Sequence, residues 1–154
     1  MSNIRTVSAD EIAAVAIGGV VGALARAGIS ALVPHSDAAA WPWATFATNL
    51  LGCLLLGVLL DAIDSRHETW TRTNPRRARL ARPLLASGVL GGFTTFSTFS
   101  VEALGLMRAG AGGSALLYAV ASVVLGVLMV LVGRALGSVV FGAAEIDLFE
   151  DEVL

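Results

Sequence analysis

The chain has 154 residues, 56% of them hydrophobic and only 14% charged, where an ordinary soluble domain carries about 25% charged. Ten basic residues, all arginine, and twelve acids leave a net charge of −2, so no basic surplus marks a nucleic-acid binder. The single Cys53 excludes an intramolecular disulfide and a multi-cysteine zinc site, and 17 glycines in so apolar a chain point to a membrane.

A helix needs about 20 mostly apolar residues to cross a hydrocarbon core of about 30 Å. Four stretches qualify, at 11–33, 38–60, 83–107 and 109–134. The first is apolar after Glu11 except for Arg26, the second has no charge, the third has only Glu102, and the fourth has none before Arg134. The pattern predicts an all-α integral membrane protein: one domain of four transmembrane helices. Ala23-Leu24-Ala25 has the form of a signal-peptide cleavage site. Against cleavage, Asp10 and Glu11 stand where a positive flank belongs, and Gly18 and Gly22 have the small-xxx-small spacing of packed membrane helices. The first segment is read as a retained span.

The first connection is short, over 34–38, and Trp41 and Trp43 follow it where indoles favour the membrane interface. The second, 64–82, is long and basic, with Arg66, Arg72, Arg76, Arg77, Arg79 and Arg82 and a turn signal at Asn74-Pro75. The third is a glycine-rich turn over 110–113, and the acidic tail 142–154 reads as a solvated, frayed end. Arg5, the six arginines of the second connection and Arg134 share one side, against Arg108 and Arg26 on the other. That bias predicts cytoplasmic termini and a cytoplasmic 64–82 loop in a multi-pass protein of the cell membrane.

Polar groups inside a bilayer are expensive and call for a partner or a purpose. His35 and His67 have no companions at ligand spacing, and no nucleophile, base and orienting acid can be assembled within the spans, which points away from an enzyme. Arg26 lies late enough in span one to snorkel, so a structural role competes with a functional one. Asn49 offers two amide donors that suit an anion; a helix–helix hydrogen bond is the competing reading.

The densest signal is Gly91-Gly92-Phe93-Thr94-Thr95-Phe96-Ser97-Thr98-Phe99-Ser100 in mid-span three. Paired glycines and a run of Thr and Ser make poor helix, predicting a break in this helix. Carbonyls freed at membrane depth are tolerated where they are buried in protein or bind something, and such oxygens suit a hard cation such as Na⁺. Phe93, Phe96 and Phe99 recur every third residue, and the positive edge of an aromatic ring can face an anion. Plain packing of aromatic and small residues is the alternative. Tyr118 and Ser122, one turn apart in span four, put two hydroxyls on one face, a weak signal alone.

Taken together, Gly18-Gly19-Val20-Val21-Gly22-Ala23-Leu24-Ala25-Arg26, Thr45-Phe46-Ala47-Thr48-Asn49 and the 91–100 run resemble the Fluc/CrcB family of bacterial fluoride channels. The resemblance spans nearly all of the chain up to span four. It implies an antiparallel dimer of four-helix subunits with two fluoride pores and a structural, non-transported Na⁺ at the two-fold axis. By motif position it implies backbone carbonyls of Gly91 and Thr94 as Na⁺ ligands. Asn49, Phe96, Phe99, Tyr118 and Ser122 would line the fluoride path, and Gly18, Gly22 and Arg26 would serve helix packing. Ala27 follows Arg26 where the family commonly has an aromatic residue, and Gly126 stands one turn beyond Ser122 where a further hydroxyl belongs.

An antiparallel homodimer requires one sequence to insert both ways, which the arginine bias opposes. The chain is therefore expected to pair with an oppositely oriented homologue, the family including both such pairs and homodimers. The implied function is passive export of fluoride that lowers its cytoplasmic level, with fluoride, membrane lipid and a second subunit as partners and no nucleic acid. The alternatives are a small four-helix proton-coupled multidrug exporter, which wants a carboxylate at mid-span, and a membrane assembly protein without conduction.

Overall fold

The computed structural model describes residues 6–32 and 39–151. The expected 34–38 connection with His35 lies outside the described residues, as do Arg5 and the last residues of the tail. Four helical stretches are long and apolar enough to cross a membrane: Ala9–Leu32, Trp43–Asp64, Pro75–Arg108 and Gly112–Phe141. At 1.5 Å per residue each exceeds about 30 Å.

Helix α1 (Ala9–Leu32) begins on a Ser-x-x-Glu capping box. Ser8 N–H donates to Glu11 Oε2 at 2.8 Å, and Glu11 N–H donates to Ser8 Oγ at 3.4 Å. The two acids that argue against a signal peptide thus start the helix and complement its dipole. Asp10 also accepts from Arg79 at 3.1 Å, tying the start of α1 to the arginine-rich arm.

That arm carries more structure than a basic loop. After α2 (Trp43–Asp64) come α3 (His67–Thr73) and α4 (Pro75–Ala81). Asn74 caps α4 by accepting from Arg77 N–H at 3.1 Å, with Pro75 in the first turn where a missing N–H costs nothing. Asp64 joins three elements at this end of the molecule, accepting from Arg82 and lying 3.9 Å from Arg134.

Span three departs from the expected start at Pro83. Helix continues from α4 into Arg82–Leu90, where it widens to i→i+5 turns. Pro83 has no N–H to give the preceding turn, and the wider winding accommodates the ring without ending the helix. Then follow α5 (Gly91–Phe93) and α6 (Phe96–Arg108). The 110–113 turn holds Gly110 at φ 79°, a conformation suited to glycine. Finally, α7 (Gly112–Asp151) runs 40 residues, past the 142 boundary at which the acidic composition reads as a frayed tail.

Glycines bring the helices together in two pairs. A Cβ on Gly18 would fall on Leu84 O and one on Gly22 on Val89 O, so α1 lies backbone to backbone against the wide segment of span three. Likewise a Cβ on Gly57 would fall on Val130 O, and one on Gly133 on Leu54 O, where α2 crosses α7. Lipid is as apolar as leucine, so such close packing, not burial of oil, holds membrane helices together. Large side chains point outward instead: Ile17, Val20 and Leu24 on α1 and Val123, Val127 and Leu131 on α7 are exposed.

Gly133→Val is accordingly expected to force α2 and α7 apart, because the colliding atoms are backbone. The cost is about 1–3 kcal/mol or more, read as a lower melting temperature in detergent. Gly28→Ala, at a position with nothing within 4 Å of the added methyl, leaves that temperature unchanged.

Candidate functional site

Between α5 and α6 the backbone of Thr94 (φ −77°, ψ 161°) and Thr95 (φ −148°, ψ 122°) is extended. Two extended residues inside a span leave peptide groups that no helix satisfies, and each needs another partner. Asn49 of α2 supplies both for Thr95. Thr95 N–H donates to Asn49 Oδ1 at 2.8 Å, and Asn49 Nδ2 donates to Thr95 O at 3.0 Å. A carboxamide is the side chain that matches the donor–acceptor edge of a peptide, which neither Asp nor Leu does. Of the two donors expected to suit an anion, one is therefore spent on Thr95 O.

Thr95 in turn starts α6, its Oγ1 accepting from Thr98 N–H at 3.2 Å in an N-cap. On the other side Thr94 N–H and Oγ1 both donate to Leu90 O at 2.9 Å. These bonds have a consequence for the two expected cation ligands. In a continuous helix Gly91 O would accept from Thr95 N–H and Thr94 O from Thr98 N–H. Those donors are spent on Asn49 Oδ1 and Thr95 Oγ1, so both carbonyls lose their helical partners. Neutral carbonyl oxygens suit a hard monovalent cation better than a transition metal. Among the described residues no group of His, Cys, Asp and Glu is placed to bind a metal.

Arg26 closes the other flank, its Nε donating to Gly92 O at 3.3 Å. It acts as a brace on the segment before Thr94 rather than reaching only for the surface.

Gly91, Thr94, Asn49, Phe96, Phe99 and Ser122 all line one cavity of about 390 Å³, open on its outer side. Six of the seven residues expected to hold the cation or line the path are thus gathered by the two extended residues and the α2–α7 pair. Gly52 lines it too, and a Cβ there would fall on Thr94 Cγ2, so the α2 wall must be bare at that point. Phe96 is 81% exposed at the mouth of this cavity. Ser122 Oγ is buried and has no hydrogen-bond partner among the described residues, leaving its donor to whatever enters. Gly126 faces α2, where a Cβ would lie 3.5 Å from Cys53 Sγ, so a hydroxyl one turn beyond Ser122 would meet the α2 wall.

Tyr118, the seventh, is fully buried beyond the cavity. Its ring stands 5.0 Å from Phe99, which stands 5.8 Å from Phe96, so three rings form a row leading out of the cavity. Tyr118 OH donates to Glu102 Oε2 at 2.9 Å, and Thr45 Oγ1 donates to Glu102 Oε1 at 2.8 Å. Glu102 and Thr45 escape the sequence reading, which takes Glu102 only as a late charge in span three. The available signal is the spacing: Phe96, Phe99 and Glu102 step by three along one side of α6. A carboxylate that accepts two hydroxyls near the end of its span is a paired polar station, not a stray charge.

The chain has clear relatives. A family model described as CrcB-like protein, camphor resistance (CrcB), matches residues 13–134, which include every residue of the site. It is 42% identical over 128 residues to a protein named fluoride-specific ion channel FluC from Chloroflexus aurantiacus, covering 83% of this chain and 95% of the relative. The same identity and coverage hold for a protein of that name from Thermus thermophilus. A Thermobifida fusca protein named fluoride-specific ion channel FluC 2 is 45% identical over 118 residues, 77% of this chain and 80% of the relative.

Proposed function

The chain belongs to the CrcB-like family, and on that premise we propose that it forms a fluoride-specific channel through which fluoride leaves the cell passively. This is ion conduction, not catalysis, and it displaces the drug-exporter and assembly readings. The observation that carries it is the match over residues 13–134, and the geometry supports it. Fluoride is small and strongly hydrated, so a path must replace water with donors but avoid a full positive charge that would trap the ion. The unpaired Ser122 hydroxyl, the remaining Asn49 N–H and the edges of Phe96 and Phe99 are donors of that kind.

Gly91 and Thr94 would hold a Na⁺ through their freed carbonyls. When bound, that ion supplies positive charge that fixes the extended residues in place; it is not transported. One subunit offers only these two oxygens, too few to replace the water around the ion. A second subunit, antiparallel to the first and seated over the open side of the cavity, completes the set. Export follows from an inside-negative potential, worth about 2.3 kcal/mol per charge per 100 mV, acting on fluoride trapped inside after entry as the neutral acid.

The eight-to-two arginine count supports one fixed insertion, with the α3–α4 arm and both termini in the cytoplasm. The partner is then a homologue of opposite bias. Single cysteines placed in the arm of a Cys53→Ser background are expected to react only from the cytoplasmic side; labelling from both faces would instead establish a dual-topology homodimer. For the function itself, expression with any required partner is expected to restore growth on fluoride to a bacterium lacking its own fluoride exporter. Failure despite membrane insertion would count against the channel.

A further inference from the structure

Among the described residues two buried side-chain polar atoms lack a hydrogen-bond partner, Ser122 Oγ and Trp41 Nε1. Both lie beside the same row of rings. Ser122 is at the cavity end; Trp41 is at the other, 5.5 Å from Tyr118 and nearly perpendicular to it at 77°. Trp41 also meets Phe46 edge-on at 5.4 Å and Trp43 at 5.8 Å, so three rings fix the orientation of its indole. It sits just before α2, at the end of the molecule away from the α3–α4 arm. The sequence reading assigns Trp41 and Trp43 alike to the membrane interface. Trp43 fits, at 63% exposed, but the buried N–H of Trp41 does not, because an interfacial indole keeps its donor in water or headgroups.

An indole nitrogen can only donate, so no change of tautomer relieves it, and the neighbouring ring faces are weak acceptors beside an anion. A buried donor without an acceptor is costly unless an acceptor visits. Beside it stands the polar station of Tyr118, Thr45 and Glu102, whose own donors are already committed to the carboxylate. Trp41 Nε1–H lies beyond that station, toward the start of α2, as a buried donor with no acceptor among the described residues.

We propose that Trp41 Nε1–H is a binding site for a small hard anion at the end of the ring row remote from the arm. This deepens the channel reading and rests on it for the anion's identity, which is fluoride. Trp41 is a specificity element as well as a donor, since a site walled by Tyr118 and Phe46 favours a compact ion over a larger halide.

The test is indole ¹⁵N–¹H spectroscopy of the reconstituted protein, which has three tryptophans, titrated with sodium fluoride and separately with sodium chloride. The Trp41 signal is expected to shift saturably with fluoride and not with chloride, while Trp70 in the arm stays in place. In parallel, Trp41→Phe keeps a ring and loses the donor, and is expected to slow fluoride efflux about tenfold, with Trp70→Phe, in the arm against Arg77, unchanged. A Trp41 signal indifferent to fluoride in the wild-type protein overturns the proposal, whether or not the variant folds. A saturable shift in a protein that passes no fluoride would keep the site and sink the channel reading, so the two fail separately.

Discussion

Replacing Asn49 with leucine is expected to lower fluoride efflux at least about 100-fold while leaving four-span insertion intact. The leucine side chain fills similar space but can neither accept from Thr95 N–H nor donate to Thr95 O. Each buried peptide group left unpaired costs about 1–3 kcal/mol, and the chain can avoid that cost only by rewinding Thr94 and Thr95. Rewinding returns Thr95 N–H to Gly91 O, which removes a proposed cation ligand and turns α6, with Phe96 and Phe99, away from its present register. Asn49→Asp tests the same clamp from the other side. It keeps the acceptor for Thr95 N–H, loses the donor to Thr95 O and adds a charge that repels an anion, so it is expected to be equally silent. Circular dichroism and size-exclusion chromatography separate loss of conduction from loss of fold. Near-normal efflux in Asn49→Leu would mean that the clamp does not set the path.

The second large effect is expected at Phe99. Its ring stands between Phe96 and Tyr118 and joins the cavity to the buried hydroxyl–carboxylate station. Isoleucine preserves bulk and apolarity but presents no positive ring edge to an ion stripped of water. Uncompensated desolvation of a charge is severe, so Phe99→Ile is expected to reduce fluoride efflux by on the order of 100-fold or more, with little change in melting temperature. Phe141→Ile, at a ring that stacks under Arg66 far along α7, leaves efflux unchanged. Equal, small effects at both positions would assign Phe99 to packing alone.

How much of this was legible in the sequence differs by element. The four spans are plain in the apolar runs, because nothing else in a chain of this size requires them. Their ends are not. Pro83 reads as a helix start, yet the backbone meets the same steric demand by widening over Arg82–Leu90. The 142 boundary reads as fraying because charge density says nothing about whether a helix already wound from Gly112 will stop. The short α3 and α4 hide in an arginine-rich stretch, since seven-residue helices show too little periodicity to register.

At the site, residue types announce poor helix between Gly91 and Ser100 but not where the chain turns extended. That position is set by Asn49, a partner 46 residues away. Spacing alone does not reveal which buried donors are spent, either. Tyr118 and Ser122 look equivalent one turn apart, yet Tyr118 is committed to Glu102 and Ser122 has no partner among the described residues. Such differences come from tertiary contacts that local pattern does not encode.

Everything proposed for the site comes down to a path, lined by this chain, that is selective for fluoride. Its most direct test is ion efflux from liposomes holding the protein purified from its native membrane, so that any partner subunit comes with it, read by fluoride- and chloride-selective electrodes. Rapid fluoride efflux with chloride retained is the expected result. Efflux of chloride at a comparable rate, or no fluoride efflux from an intact, folded dimer, would contradict it.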